Sequence, residues 1–145
     1  MKDTYLYFRA VADEDNDDGD GASSSVNPTS IAIPTRNITG IAPASDATVA
    51  IKFLSVRNQG PRGGQAGATG DEIIQDTITL GVNTHRHQNV IDTIIRAMND
   101  VHNDGFIDVC DDVTTLYGDS TIAAVTLHQD ITGVADDGIS VAAAM

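Results

Sequence analysis

The chain has 145 residues, of which 41% are hydrophobic and only 4% aromatic, with no tryptophan and a formal net charge of −13. A single domain of this length buries about 70% of its unfolded-chain surface, so a core needs neither metal nor disulfide. The acidity argues against binding to nucleic acid or anionic membranes, and the lone cysteine, Cys110, excludes an intrachain disulfide and a disulfide scaffold.

The core must rest on Ile, Val, Leu and Ala. Only Glu14 and Glu72 among the acids are Glu. Asp favours turns and caps, so most of the charge is expected on loops and element ends. A surface of this kind also suits high salt, where its self-repulsion is screened.

TYLYFRAV (4–11) reads as a strand, with Tyr5, Tyr7 and Arg9 on one face and Leu6, Phe8 and Ala10 on the other. DEDNDDGDG (13–21) and ASSSVNPTS follow, giving an acidic and polar loop over 13–30. IAIPTRNITGIAP (31–43) reads as short extended pieces broken by Pro34, Gly40 and Pro43, and ASD (44–46) as turn chemistry. ATVAIKFLSV (47–56) is a second strand, with Val49, Ile51 and Phe53 on one face.

NQGPRGGQAGATG (58–70) has five glycines and no aliphatic side chain larger than Ala. It is expected as a Gly-rich loop or arm outside the core. EIIQDTITLGV (72–82) is a third strand; Asp76 interrupts its apolar face, so the strand is allowed to begin after that residue.

NTHRHQNVIDTIIRAMNDVHNDG (83–105) carries the helix, placed at 84–102. Val90, Ile91, Ile94, Ile95, Met98 and Val101 form one stripe. Asn83 or Thr84 can cap its start, and Gly105 supplies a left-handed residue after its end. Asp92 and Arg96 are spaced for an i,i+4 ion pair.

FIDVC (106–110) reads as a strand, DDVTTLYGDS (111–120) as a turn or ribbon, and TIAAVTLHQDI (121–131) as another strand. Ile139 and Val141 mark a last one. The expected fold is α+β in one domain, 1–145: a mostly antiparallel sheet of about six short strands with one amphipathic helix packed on it.

The chemistry-bearing motifs do not close. An EF-hand loop needs oxygens at its first, third and fifth positions, glycine at the sixth and a bidentate Glu at the twelfth. Starting at Asp13, the sixth position is Asp18 and the twelfth Ser24; starting at Asn16, the twelfth is Asn27. The acidic run therefore reads as a solvated loop that draws loose divalent counterions. His85 and His87 open a helix, where i and i+2 point apart, and no third metal ligand lies at a recognisable spacing. With Arg86 they put potentially cationic groups at the positive end of the helix dipole; they read first as exposed polar residues tolerated there at low cost, with a small basic patch docking an acidic neighbour as the sharper alternative.

No serine lies in a G-x-S-x-G elbow, and the Gly-rich segment lacks the Lys-Ser/Thr ending of a phosphate loop. Asp111-Asp112 and Asp136-Asp137 read as turn pairs, and Cys110 as a small buried side chain. No catalytic, cofactor or metal residue is assigned, and a non-enzymatic role is expected. No apolar run approaches the roughly 20 residues of a membrane span. The start, Met-Lys-Asp-Thr, has no apolar signal segment, so maturation in a cytoplasm is expected.

Three segments carry a resemblance: TYLYFRAV, ITGIAPASDATVAIKFLSV (38–56) and DTITLGVNTHRHQNVIDTIIRAMNDVHNDGFIDVCDD (76–112). In this order they resemble small virion structural proteins of marine tailed bacteriophages such as cyanophages. Tyr5-Leu6-Tyr7-Phe8 is similar to an opening strand of that group. Gly40 through Asp46 resembles its turn before an apolar strand, and Asn103 through Asp112 the end of its helix with the following strand.

The acidic run and the Gly-rich segment are not part of the shared pattern. The resemblance implies a capsid decoration or cement protein, present in many copies on the head of a virion assembled in the host cytoplasm. Its implied partners are the major capsid protein and copies of itself. A tail or head–tail connector component is the alternative within that class, and a calcium-dependent binding module the alternative outside it.

Overall fold

Strict alternation of apolar and polar residues sets the first strand, β1 (Tyr5–Arg9). Leu6 and Phe8 are fully buried, while Tyr5, Tyr7 and Arg9 lie half-buried on the opposite face. A computed structural model describes residues 4–11, 29–54, 75–100, 105–116 and 120–140. The acidic run 13–21, the Gly-rich segment 58–70 and residues 141–145 lie outside the described residues.

β1 is an inner strand. It pairs antiparallel with β2 (Ser30–Pro34) and parallel with β6 (Phe106–Asp111), and β6 pairs antiparallel with β9 (Val125–Thr126). These form one four-stranded sheet in the order β2-β1-β6-β9. A second has the order β10-β5-β4-β3, with every pairing antiparallel. It consists of β3 (Ile38–Ser45), β4 (Thr48–Leu54), β5 (Gln75–Val82) and β10 (Ile131–Ser140). β7 (Thr115–Leu116) and β8 (Ser120–Thr121) make a two-stranded ribbon, as expected for 111–120.

The α+β class and the predominance of antiparallel pairing hold. The expected single sheet of about six strands does not: among the described residues, ten strands form two four-stranded sheets and the ribbon. The chain divides differently in three places. Gly40 and Pro43 do not break 38–45. Pro43 sits in an end strand, where a missing N–H is tolerated, and the register slips on both sides of the Gly40–Pro43 stretch.

The stretch 121–131 is not one strand; β8 and β9 are two residues each, and a bend and turn over 127–130 lead into β10. β10 then runs through sequence that reads as loop. It pairs with β5 on both sides of an irregularity between Val134 and Ile139. Gly138 is needed there, since a Cβ would lie 2.6 Å from the Ala135 carbonyl oxygen and 2.7 Å from that of Thr79.

The β3–β4 hairpin turns at Asp46 and Ala47, and the Ser45 and Thr48 hydroxyls lie 2.7 Å apart across it. Val49, Ile51 and Phe53 are all fully buried on one face of β4, as the alternation requires. β5 includes Asp76 rather than starting after it. Asp76 pairs with Phe53 in the register, is 1% exposed and has an interaction partner.

Both sheets and the helix share one apolar cluster. Leu6, Phe8, Ile33 and Val109 come from the first sheet, Val49, Ile51, Phe53, Ile78 and Leu80 from the second, and Val90 and Ile94 from the helix. Burial of each such side chain contributes about 1.5–3 kcal/mol. The scarce aromatics divide sharply: Phe8 and Phe53 are core, while Phe106 is 57% exposed.

The helix, α1 (His87–Met98), starts later than the expected 84–102 and closes before Asn99 and Asp100, while 101–102 of that range lie outside the described residues. Asn83 and Thr84 do not cap it. The cap position is Arg86, without a side-chain hydrogen bond, because Thr84 and His85 form a turn in which His85 takes φ +64°. Among the described residues of the stripe, Val90 and Ile94 are buried, Ile91 and Met98 half-buried, and Ile95 is 44% exposed, while Val101 lies outside the described residues. The Asp92–Arg96 pair forms, at 3.0 Å between exposed side chains. Gly105 has φ +91°, and its carbonyl accepts the Tyr5 N–H at 2.8 Å. Among the described residues, no helix is long and apolar enough to cross a membrane.

Candidate interaction surfaces

Three places gather polar or exposed apolar groups. The first is the exit of β6, where the adjacent acids Asp111 and Asp112 were expected to mark a turn. Asp111 closes the strand and Asp112 follows it, and each carboxylate has a defined structural job. Asp111 Oδ1 accepts from Arg9 Nε at 3.1 Å and from the Val113 N–H at 3.1 Å.

Asp112 Oδ2 accepts the Val134 N–H of β10 at 2.8 Å, and its Oδ1 accepts the Cys110 thiol at 3.2 Å. Cys110 is buried, as the sequence suggested. Burial above all, with the Asp112 hydrogen bond and the nearby carboxylates, drives its thiol pKa far upward. A thiol held protonated is a poor nucleophile. Asp136 and Asp137 fall within β10.

The second place is the start of α1. His85, His87, Ile91, Asp92, Ile95 and Arg96 line an open depression of about 740 Å³ together with Pro43 of β3. A ring nitrogen of His87, Nε2, bonds to the Ser45 carbonyl oxygen, and the His85 N–H donates to the Asp46 carbonyl at 3.1 Å. Arg86 has an acidic neighbour inside the chain. Asp130, in the loop before β10, accepts Asn83 Nδ2 at 3.0 Å. That bond chiefly, with further help from Asn89, His128 and Arg86, holds its carboxyl below the usual range. Asp92 pairs with Arg96 one turn further along the helix. The helix start thus has a carboxylate beside it from Asp130, 47 positions beyond Asn83, which no local motif announces.

The third place is the outer face of the first sheet. The register sets Tyr5 beside Phe106 and Tyr7 beside Asp108, with Arg9 beside Asp111 after a bulge and Val125 of β9 beyond Asp111. The Tyr7 and Phe106 rings lie 5.1 Å apart at 35°, a tilted aromatic pair. Phe106 is 57% and Val125 51% exposed. Among them, Asp108 Oδ1 is buried with no hydrogen-bond partner. Burial first, then repulsion by Asp111, raises the Asp108 pKa, and Arg9 opposes both.

Sequence reading placed Tyr5, Tyr7 and Arg9 on one face correctly but missed this surface. Its halves meet through the parallel β1–β6 pairing, about which neither segment carries a signal.

Among the described residues, no three His, Cys, Asp or Glu side chains are placed to hold a metal ion. His85 and His87 both line the helix-start depression, whereas His128 is engaged with Asp130. The chain matches no protein-family model, and no curated protein or solved structure is significantly similar to it.

Proposed function

We propose that the chain is a non-enzymatic virion structural protein, a decoration or cement protein that binds a head lattice in many copies. The observation that carries this reading is the outer face of the first sheet. In a chain with six aromatic residues, Phe106 stands exposed against the half-buried Tyr7 ring beside a carboxylate with an unpaired oxygen, and Val125 is exposed farther along the same face. Open apolar patches of this sort on soluble domains mark contact surfaces.

Three further features agree with it. The sequence resembles small phage virion proteins in the segments around β1, β3–β4 and β5–β6. The end strands of both sheets offer backbone for strand addition by a neighbour. The excess of acid keeps unassembled subunits apart. β1 lies inside its sheet, so its contribution to a contact is through side chains rather than through an exchanged strand.

The test is addition of the purified protein to host-derived particles that lack it. Saturable co-sedimentation with the heads, and new protrusions in negative stain, support the reading. Binding to tails alone moves the protein to the tail or connector class, and absence of binding to either removes the virion assignment.

A further inference from the structure

We propose that the outer face of the first sheet docks a protein segment that presents an arginine or lysine between apolar side chains, the cation lying over the Tyr7–Phe106 rings beside Asp108. The inference rests on reading this face as a contact surface and adds the chemistry of what it contacts.

Three observations select that occupant. The apolar part of the face beside Asp108 is the exposed Phe106 and the half-buried Tyr7 ring 5.1 Å away, with the exposed Val125 farther along, beside Asp111. A covering partner therefore needs apolar atoms of its own. The charged part is two carboxylates, Asp108 and Asp111, against one guanidinium, Arg9, a net of −1. Arg9 is joined to Asp111, at 3.1 Å, and only partly offsets Asp108, whose Oδ1 has no hydrogen-bond partner.

Docking strips water from this face, and a dehydrated carboxylate that already has one unpartnered oxygen is costly unless the partner brings a positive donor. An acidic or purely apolar partner leaves that cost standing. A second copy of the chain is a poor match, because its net charge is also −13. Aromatic faces attract guanidinium and ammonium groups, so one cation satisfies both the rings and the carboxylate.

The test uses the full chain labelled with nitrogen-15, with the synthetic peptide acetyl-Leu-Arg-Leu-Arg-Leu-amide as probe and the same peptide with Glu for Arg as control. The expected result is a saturable shift of the β1 and β6 amides with the Arg peptide and none with the Glu peptide. Phe106→Ser and Asp108→Asn each weaken binding by about fivefold or more. Val125→Ser, on the neighbouring strand, gives a second variant of the same face, and a dispersed spectrum verifies the fold of each.

Unchanged affinity in Phe106→Ser and Val125→Ser means that diffuse acidity holds the peptide, and overturns the proposal. So do shifts confined to other elements, or no shifts. Concentration-dependent shifts of these amides without peptide, abolished by Phe106→Ser, assign the face to a second copy and overturn it as well. A protein that binds the peptide but no particle keeps this inference and loses the virion reading; the reverse outcome loses this inference alone.

Discussion

The carboxylate of Asp112 accepts the backbone N–H of Val134 at 2.8 Å, tying the exit of β6 in one sheet to β10 in the other. The same side chain takes the Cys110 thiol on its second oxygen. Gly133 completes the fit. Its φ of +151° is one that L side chains rarely adopt, and a Cβ there would approach both Asp112 oxygens at 3.2 Å. Asp112→Ala should therefore cost about 1.5–3 kcal/mol, since it removes a charge-assisted bond and strands the Val134 N–H. Asp112→Asn, which keeps one acceptor, should cost less. Urea denaturation of the two variants against the parent measures the order; equal stability of all three contradicts the clasp.

Asp108 sets a pH dependence of known sign. Its folded pKa is raised, so the folded state binds its proton more tightly than the unfolded chain does. The stability this group contributes is fully present below the ordinary carboxylate range and is lost as pH rises through the raised value. Asp108→Asn should melt higher than the parent at neutral pH, by about 2–4 °C if the relief is near 1 kcal/mol. The advantage should shrink as the buffer is made acidic. Melting curves across that range decide it, and a variant that is less stable at neutral pH rules out the unpaired-carboxylate account.

The Cys110 thiol, buried and hydrogen-bonded to Asp112, should resist a thiol-reactive dye in native buffer and react only as the chain unfolds. Because burial leads the upward shift of its pKa, raising the pH within the native range should not release it. Rapid native labelling would show that the β6 end opens independently of the core.

The two exposures of phenylalanine predict opposite mutational costs. Phe53→Ala should lose about 3–5 kcal/mol from the shared core, whereas Phe106→Ser should stay within about 0.5 kcal/mol of the parent. Guanidinium unfolding of both variants makes the comparison. A large loss in Phe106→Ser would make that ring structural and remove the main reason to read its face as a contact.

Local patterning carried much of the fold. The two-residue alternation at Leu6 and Phe8 and at Val49, Ile51 and Phe53 identified core faces that are fully buried. The Val90–Ile94 spacing identified the helix, and the Asp92–Arg96 spacing an ion pair that forms. What the sequence concealed depends on distant partners.

Pro43 looks like a breaker until its strand is known to be an end strand, and Asp76 looks like a boundary until β4 is laid beside it. Asp130 compensates the start of α1 from the loop before β10, and the open face exists only because β1 and β6 pair in parallel. Helix ends followed the same rule: Asn83 resembles a cap but is engaged by Asp130.

The central claim is that the exposed face around Phe106 joins this chain to a virion lattice. Co-sedimentation of wild type and Phe106→Ser with heads lacking the protein tests it most directly. The account predicts saturable binding of the wild type in many copies per head and loss of binding in the variant, with both proteins equally folded in solution. Wild type that stays in the supernatant, or a variant that binds as well as wild type, contradicts it.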